Sequence, residues 1–113
     1  MNINQMPQVI KNFVTSTNNP DPMTYLNCFS EDAVVYDEGE TMHGKDAIKK
    51  WSNEKQFAVN LRLEPREIEQ DTDKITVTFK LDGDYDKTVL PDPLLLNFHF
   101  HIQNNKIVKL SIY

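Results

Sequence analysis

From about residue 59 to the end, apolar and polar residues alternate with a period of two, and this alternation constrains the fold more than any other feature. It is clearest in residues 75–81, 94–102 and 107–112. Alternation of this kind is typical of strands that bury one face of a sheet and leave the other face polar. Asn104 and Asn105 favour a two-residue hairpin turn between the last two strands. The second half of the chain is therefore predicted to be an antiparallel meander.

The first half of the chain shows helical spacing instead. A first amphipathic helix is predicted by apolar residues that recur every three or four positions: Met6, Val9, Ile10, Phe13 and Val14. Asp21 followed by Pro22 suits the N-cap and first residue of a second helix, which we expect to run through Phe29. Gly44 is expected to open a third helix with Trp51 on its buried face. Helices gathered before an antiparallel sheet indicate an α+β fold in which the sheet wraps around the helices.

A short strand is predicted between the second and third helices. Residues 33–37 are rich in β-branched side chains, and Gly39 closes the strand in a turn. Asp37 shares strand parity with Ala33 and Val35, so its carboxylate is expected to face inward. A carboxyl group in apolar surroundings has a raised pKa, which suits a general base near neutral pH. The alternative is an aspartate that caps the following turn by accepting hydrogen bonds from backbone amides.

One long irregular segment interrupts the meander. Residues 82–93 read DGDYDKTVLPDP, and Pro91 and Pro93 exclude a central strand there. The segment is interpreted as a plain connection, a lid over a pocket or an arm that contacts a second protomer.

The stretch FSEDAVVYDEG followed by GKDAIKKW resembles the nuclear transport factor 2-like superfamily, which includes SnoaL-like cyclases and ketosteroid isomerase. The closing LNFHFHIQNNKIVKLSI resembles the terminal hairpin of small SnoaL-like proteins. The resemblance covers nearly the whole chain. It implies a cone-shaped fold with three N-terminal helices packed in a curved antiparallel sheet. Together with the chain length, it predicts a single domain over residues 1–113.

The resemblance also nominates one candidate catalytic residue. In ketosteroid isomerase the strand after the acidic pair carries the aspartate that shuttles a proton, and matching along FSEDAVVYD assigns that role to Asp37. The tyrosine that supplies an oxyanion hydrogen bond corresponds to Phe13 here, and LLLNFHF offers no carboxyl group for the second oxyanion acid. This chain is therefore not expected to be a ketosteroid isomerase, and a base at Asp37 would need another donor.

Two residues could supply that donor. Tyr25 is expected either to project into the cone or to hold its hydroxyl at the surface. His43 is expected either to reach the cavity mouth or to lie in an exposed loop. The remaining ligand-binding candidates are large aromatic residues, for which ordinary core packing is the alternative: Phe13, Phe29, Trp51, Phe79 and Phe98.

His99 and His101 have the spacing of a metal-ligand pair on a strand. Alternation assigns the buried side to Phe98 and Phe100, which leaves both histidines on the opposite face. Two histidines without a placed carboxylate are a thin ligand set, so no metal site is predicted. The outer sheet face is instead expected to form a homodimer interface.

Composition narrows the possible partners. A net charge of −5 argues against nucleic-acid binding, and no apolar run approaches membrane-spanning length. The N-terminal stretch lacks a signal-peptide layout, so a cytoplasmic protein is expected. The lone Cys28 is interpreted as a small core residue. With no phosphate-cradling glycine-rich loop and no Ser-His-Asp or Cys-His signature, no cofactor is predicted.

The sequence leaves three hypotheses open. The first is a binding protein for a small apolar or carbonyl-bearing molecule of unknown identity, with Asp37 as the polar anchor of an apolar pocket. The second is a SnoaL-like isomerase or cyclase in which Asp37 removes a proton next to a carbonyl. The third is a non-catalytic dimeric association module whose pocket is filled by its own side chains.

Overall fold

The computed structural model describes residues 5–113. Its helices and strands are, in chain order, α1 (Gln8–Asn18), α2 (Pro22–Asn27), β1 (Phe29–Asp37), β2 (Glu40–His43), α3 (Lys45–Ser52), a π-helical segment (Asn53–Phe57), β3 (Arg62–Asp71), β4 (Lys74–Asp82), β5 (Leu94–Gln103) and β6 (Lys106–Ile112). Residues 1–4, part of the N-terminal stretch without a signal-peptide layout, lie outside the described residues. Within residues 5–113, no helix is long and apolar enough to cross a membrane.

The strands form one six-stranded sheet in the order β2-β1-β6-β5-β4-β3. From β6 to β3 every neighbouring pair is antiparallel, which confirms the predicted meander. β1 also pairs antiparallel with β2, but it runs parallel to β6. This parallel pair joins the first half of the chain to the meander. The α+β class and the helix-filled curved sheet are as predicted.

Two hairpin turns in the sheet use paired residues with positive φ. Glu38 and Gly39 have φ of 51° and 77°, and Asn104 and Asn105 have φ of 52° and 62°. Such pairs are typical of the two-residue turn whose twist matches that of the flanking strands. The predicted turn at Asn104 and Asn105 is confirmed.

The structure corrects the predicted end of α2 and the predicted start of β1, which begins at Phe29 and not at residue 33. α2 ends at Asn27, not at Phe29, because Phe29 already pairs with Ile107 as the first residue of β1. The Ile107 amide donates a hydrogen bond of 2.7 Å to the Cys28 carbonyl, which draws the chain into the sheet at this point. The sequence prediction also missed β2, a strand of four residues that is too short to produce a clear alternation.

A cluster of aromatic rings fills the cone between α1, α2 and the inner sheet face. The Phe13 ring lies 5.0 Å from Tyr25, 5.3 Å from Phe100 and 6.2 Å from Phe29, measured between ring centroids. All four side chains are fully buried. Cys28 is buried beside them, and burial raises the pKa of its thiol to about 11. We call this part of the molecule the closed end.

α1 is attached to the sheet by its last residue. The Asn18 side-chain carbonyl accepts from the Leu63 amide at 2.7 Å, and its side-chain amide donates to the Leu63 carbonyl at 2.9 Å. Arg62 adds a hydrogen bond of 2.8 Å to the Asn18 carbonyl. The Asn18 side chain therefore pairs with both the backbone N–H and the backbone carbonyl of Leu63, near the start of β3.

Candidate functional site

A cavity of about 760 Å³ opens at the end of the sheet where β1, β4 and β6 finish and β5 begins. We call this part of the molecule the open end. Its walls are mainly aliphatic and aromatic side chains of the inner sheet face and of the segment before β3: Val59, Leu61, Leu81, Leu94, Leu96, Phe98 and Ile112. A few polar groups from β1 and the π-helical segment converge on these walls. Apolar walls with few polar groups are typical of small-molecule sites, and the volume lies in their usual range.

Asp37 brings a carboxylate to this cavity. It is the last residue of β1 and shares the inner face with Ala33 and Val35, which are both fully buried. Asp37 Oδ2 accepts a hydrogen bond of 3.1 Å from Trp51 Nε1. Among the described residues no backbone amide donates to this carboxylate, so the structure does not support the turn-capping alternative.

Burial raises the pKa of the Asp37 carboxyl above its ordinary value. The hydrogen bond from Trp51 opposes this rise, and the neighbouring Glu38 carboxylate reinforces it. The positive charge of Lys55, which also lines the cavity, lowers the pKa of Asp37. Desolvation dominates because the carboxyl group is half-buried against apolar walls. The result is an acid whose charged form is less favourable than in water.

Trp51 contributes to the site through Asp37 and is not itself among the cavity-lining residues. It lies near the end of α3 and is only 5% exposed. Because its indole N–H is directed at Oδ2, it holds the carboxylate in one orientation at the cavity wall.

The π-helical segment is the feature of the site that the sequence analysis missed. It continues α3 without a break, and the Ala58 amide donates to the Asn53 carbonyl at 2.9 Å, five residues back. Its residues Glu54, Lys55 and Gln56 all line the cavity. π-helical turns are often found at functional sites. Neither glycine nor proline marks this change in helical pitch, so the sequence carried no strong signal for it.

The loop after β4 forms the remaining side of the cavity with Tyr85, Asp86 and Leu90. Its start is tied to the segment before β3, because the Asp84 amide donates to the Val59 carbonyl at 2.6 Å. Asn60 Nδ2 adds a hydrogen bond of 2.7 Å to the Asp84 carboxylate. Of the three interpretations of residues 82–93, the geometry favours a lid that contributes to the cavity wall.

Apart from Trp51 and His43, the predicted site residues divide into two groups. Asp37 and Phe98 line the cavity. Four aromatic residues are instead buried in the core and are absent from the cavity lining: Phe13, Tyr25, Phe29 and Phe79. The reason is that α1 and α2 fill the closed end, so inward-facing aromatic residues at that depth meet helices and not open space.

Tyr25 is a buried candidate that lies beside Gln56, a cavity-lining residue. Burial raises the pKa of its hydroxyl well above the ordinary value. The hydroxyl lies beside the Gln56 side chain, yet neither the hydroxyl nor Gln56 Oε1 completes a hydrogen bond of normal geometry. Neither of the two expectations for Tyr25 describes its position, since the hydroxyl reaches neither the surface nor the cavity.

His43 lies on the outer sheet face, away from the cavity. It lies in β2 and pairs with Val34 of β1, whereas its neighbour Met42 pairs with Val35 and is buried. The expectation that His43 could reach the cavity mouth is therefore corrected by strand parity, since a strand that buries Met42 must turn His43 outward.

The outer face also carries His99 and His101, as the alternation predicted. His99 Nδ1 lies 3.0 Å from the Thr76 hydroxyl, and its ring stacks on Tyr113 with 4.2 Å between centroids. Burial lowers the pKa of His99, and the nearby Lys74 charge adds to this effect. Residues 5–113 contain no group of three His, Cys, Asp or Glu side chains placed to hold a metal ion.

Comparison with known proteins agrees with this architecture. The family model described as SnoaL-like domain matches residues 10–110. A search of curated proteins found no match. Among solved structures, a candidate polyketide cyclase from Sinorhizobium meliloti superposes with a TM-score of 0.88 at 27% identity, covering 100% of both chains.

Two more distant structures share the fold. A protein with a ketosteroid isomerase-like fold from Catenulispora acidiphila, in complex with trimethylamine, has a TM-score of 0.77 at 17% identity over 96% of this chain and 86% of that one. A Mycobacterium tuberculosis protein in complex with estradiol-17beta-hemisuccinate has a TM-score of 0.74 at 15% identity over 94% and 90%.

Proposed function

This chain belongs to the SnoaL-like domain family, and from that premise we propose that it binds a small, mostly apolar molecule in the open-end cavity, with Asp37 as the polar anchor. The observation that carries the proposal is the combination of a cavity of about 760 Å³, mainly apolar walls and one carboxylate held by Trp51. The ligand class expected is aromatic or polyketide-like, including carbonyl-bearing compounds.

Several features support binding over a purely structural role. An association module would be expected to fill its pocket with its own side chains, whereas this cavity stays open. A half-buried carboxylate is unfavourable for folding when it gains little in return, and a ligand would compensate for its desolvation. The steroid conjugate bound by the structural relative from Mycobacterium tuberculosis is an apolar molecule with polar groups, which is the kind of ligand proposed here.

The test is a thermal-shift and calorimetric screen with 1-tetralone, 2-naphthol and estradiol as probes. A saturating ligand is expected to raise Tm by roughly 5 °C or more, because binding to the native state alone stabilises it. Leu96→Trp, which fills the cavity, is expected to abolish the shift. Met23→Trp is the control, since Met23 lies on α2, is 78% exposed and belongs neither to the cavity lining nor to the outer sheet face.

If no probe stabilises the wild type, or if Leu96→Trp and Met23→Trp reduce the shift equally, binding in this cavity is excluded for this ligand class.

A second candidate function is proton transfer next to a carbonyl, with Asp37 as the general base. The raised pKa of Asp37 favours it, and so does the single donor on its carboxylate, which leaves Oδ1 without a hydrogen-bond donor among the described residues. His43 is not available as the oxyanion donor because it lies on the outer sheet face. Tyr25 would need a rearrangement at Gln56 to reach a substrate. The donor would therefore come from the polar groups of the cavity itself.

This second candidate predicts exchange of the α-protons of 1-tetralone in D2O, followed by NMR. A positioned general base typically accelerates such a step by about 10²–10⁴. Asp37→Asn is expected to remove the acceleration, while Asp73→Asn, the same change at an exposed position outside the cavity lining, leaves it unchanged. Exchange that is equally fast in Asp37→Asn would rule out the base role and leave binding as the function.

We also propose that the protein is cytoplasmic and forms a homodimer through the outer sheet face. Support for the dimer comes from large side chains exposed on or beside that face: Tyr36, Leu95 and Tyr113. Sedimentation analysis of the wild type and of Leu95→Glu tests it. A dimer that Leu95→Glu converts to a monomer is the expected result, and a wild-type monomer at micromolar concentration would contradict it.

A further inference from the structure

The charged side chains that line the open-end cavity are mostly acidic. Asp37, Glu38, Glu54 and Asp86 all belong to the lining, and among the described residues Lys55 is the one basic side chain there. The acids come from three separate parts of the fold, which are the end of β1 with its turn, the π-helical segment and the loop after β4. A cleft with apolar walls and charges of one sign concentrates ligands of the opposite sign.

The chain itself does not neutralise these carboxylates. The ion pairs within residues 5–113 all involve acids outside the cavity lining, namely Glu31, Glu64 and Asp82. Lys55 takes part in none of them. Its charge still acts on the Asp37 carboxyl, but only as a smaller influence than burial. The negative charge of the cavity is therefore available to a ligand.

Asp37 is the acid placed to make the contact. Its residue is half-buried at the cavity wall, whereas Glu38, Glu54 and Asp86 are exposed. Trp51 donates to Oδ2, and Oδ1 accepts from none of the described residues. Unlike the Tyr25 hydroxyl, which is also without a partner, Oδ1 is not enclosed by protein atoms. One oxygen of the carboxylate therefore faces the cavity with its hydrogen-bonding capacity unused.

The surroundings of Asp37 favour a charged donor over a neutral one. A hydrogen bond is stronger when both partners are ionised, and apolar walls strengthen it further because they exclude water. A neutral ligand would leave the carboxylate without a counter-ion, and an anionic ligand would bring a second negative charge beside it.

We propose that the cavity selects cationic ligands, which are apolar ring compounds with a protonated amino group whose N–H donates to Asp37 Oδ1. The exposed acids at the cavity edge add an attraction that acts at longer range. Neutral analogues bind more weakly, and anionic analogues bind most weakly. This inference rests on the proposed binding function and narrows its ligand class.

Calorimetry with three tetralin derivatives tests the charge preference. They are 2-aminotetralin, which is protonated near neutral pH, the neutral 2-tetralol and the anionic tetralin-2-carboxylate. The wild type is expected to bind the ammonium compound roughly tenfold more tightly than the alcohol, since a hydrogen bond gains strength when both partners are charged. The carboxylate is expected to bind about tenfold more weakly than the alcohol, or not at all. Added salt should narrow both differences, because it screens the exposed acids.

Two matched variants separate the contact from the net charge of the protein. Asp37→Asn keeps the size of the side chain and removes its charge, so the preference for the ammonium compound over the alcohol is expected to fall below about threefold. Asp73→Asn makes the same change at an exposed position outside the cavity lining and is expected to keep the wild-type preference. Equal losses in the two variants would overturn the inference.

A second measurement uses the wild type alone. Carbon NMR of the Asp37 carboxyl group is expected to show a lower pKa with 2-aminotetralin bound than with 2-tetralol bound, because an adjacent positive charge favours the ionised form. The charged neighbours Glu38, Glu40 and Lys55 are present in both complexes, so they do not account for a difference. The same pKa in both complexes would show that the amine does not reach Asp37 and would overturn the inference.

The possible failures are distinguishable. If 2-tetralol or estradiol binds and Leu96→Trp blocks it, but 2-aminotetralin binds no more tightly than 2-tetralol, the inference is overturned and the proposed function stands. If none of the tetralin derivatives and none of the other probes binds the wild type, the proposed function fails for this ligand class and the inference fails with it.

Discussion

The closed end and the open end use the same inner sheet face in opposite ways. At the closed end the buried hydroxyls of Ser16 and Thr17 donate to carbonyls of their own helix at 2.7 and 2.8 Å, and the aromatic rings around them are in contact. At the open end the Asp37 carboxyl has a raised pKa and accepts from a single donor among the described residues, Trp51. Ser16 and Thr17 are satisfied within their own helix, with the buried Tyr25 hydroxyl as the exception at the closed end, whereas Asp37 keeps an oxygen available at the cavity. This contrast indicates which end is built for packing and which for a ligand.

The largest expected effect is a loss of stability when the packing of the closed end is disrupted. Phe13→Ala removes the ring at the centre of the aromatic cluster and is expected to lower the free energy of unfolding by about 3–5 kcal/mol. Leu96→Ala, at the cavity wall, is expected to cost clearly less, because that side chain already borders open space. Urea denaturation of both variants measures the difference. Equal losses would mean that the two ends are packed alike.

A second prediction concerns how the lid is attached. A Cβ atom added at Gly83 would lie 2.8 Å from the Val59 carbonyl oxygen, a backbone atom with little freedom to move. Gly83→Ala is therefore expected to destabilise the fold by about 1–3 kcal/mol and to loosen the loop from Val59. Hydrogen exchange at the Asp84 amide reports the loosening directly. Val89→Ala, at an exposed position in the same loop, should leave that exchange unchanged.

A smaller effect tests the role of Trp51 at the open end. Trp51→Phe keeps most of the ring but removes the donor to Asp37, so a loss of about 1 kcal/mol is expected. The pKa of Asp37, followed by carbon NMR of its carboxyl group, is expected to rise further because the lowering contribution disappears. In an Asp37→Asn background the same substitution should cost less. A full loss in that background would assign the effect to ring packing.

The smallest effect is the dependence of stability on pH. Because the folded-state pKa of Asp37 is raised, the folded protein holds this proton more tightly than the unfolded chain does. Protonated Asp37 therefore stabilises the folded state more than ionised Asp37 does. Its contribution to the free energy of unfolding falls as pH rises from the ordinary aspartate pKa through the raised folded-state pKa. Asp37→Asn is expected to be slightly more stable than the wild type at pH 7 and equal to it at low pH. A reversed order at pH 7 would mean that ionised Asp37 is stabilised by its surroundings.

Local patterns in the sequence account for much of this structure. Alternation in β4 and β5 predicts which side chains face inward, and it correctly assigns His99 and His101 to the outer face. Parity alone also turns Asp37 inward with Val35. These predictions succeed because successive side chains of a strand point to opposite faces wherever the strand lies.

The local sequence pattern could not predict how deep in the cone an inward-facing side chain lies. Phe98 and Phe100 have the same parity on one strand and both pack against Phe13, yet of the two only Phe98 also reaches the cavity wall. The same limit explains why Tyr25 and Phe29 seemed suited to a pocket that lies elsewhere. Whether an inward side chain meets a helix or open space depends on where α1 and α2 settle against the sheet.

The sequence by itself therefore determined the meander, its hairpin turn at Asn104 and Asn105, and the inward direction of Asp37, since each follows from the backbone preferences of a few neighbouring residues. Only the tertiary structure decided the parallel contact of β1 with β6, the π-helical turn that carries Gln56, and the position of the cavity. These features depend on contacts between segments far apart in the chain, where a short helical layer covers part of a longer sheet and leaves the rest open.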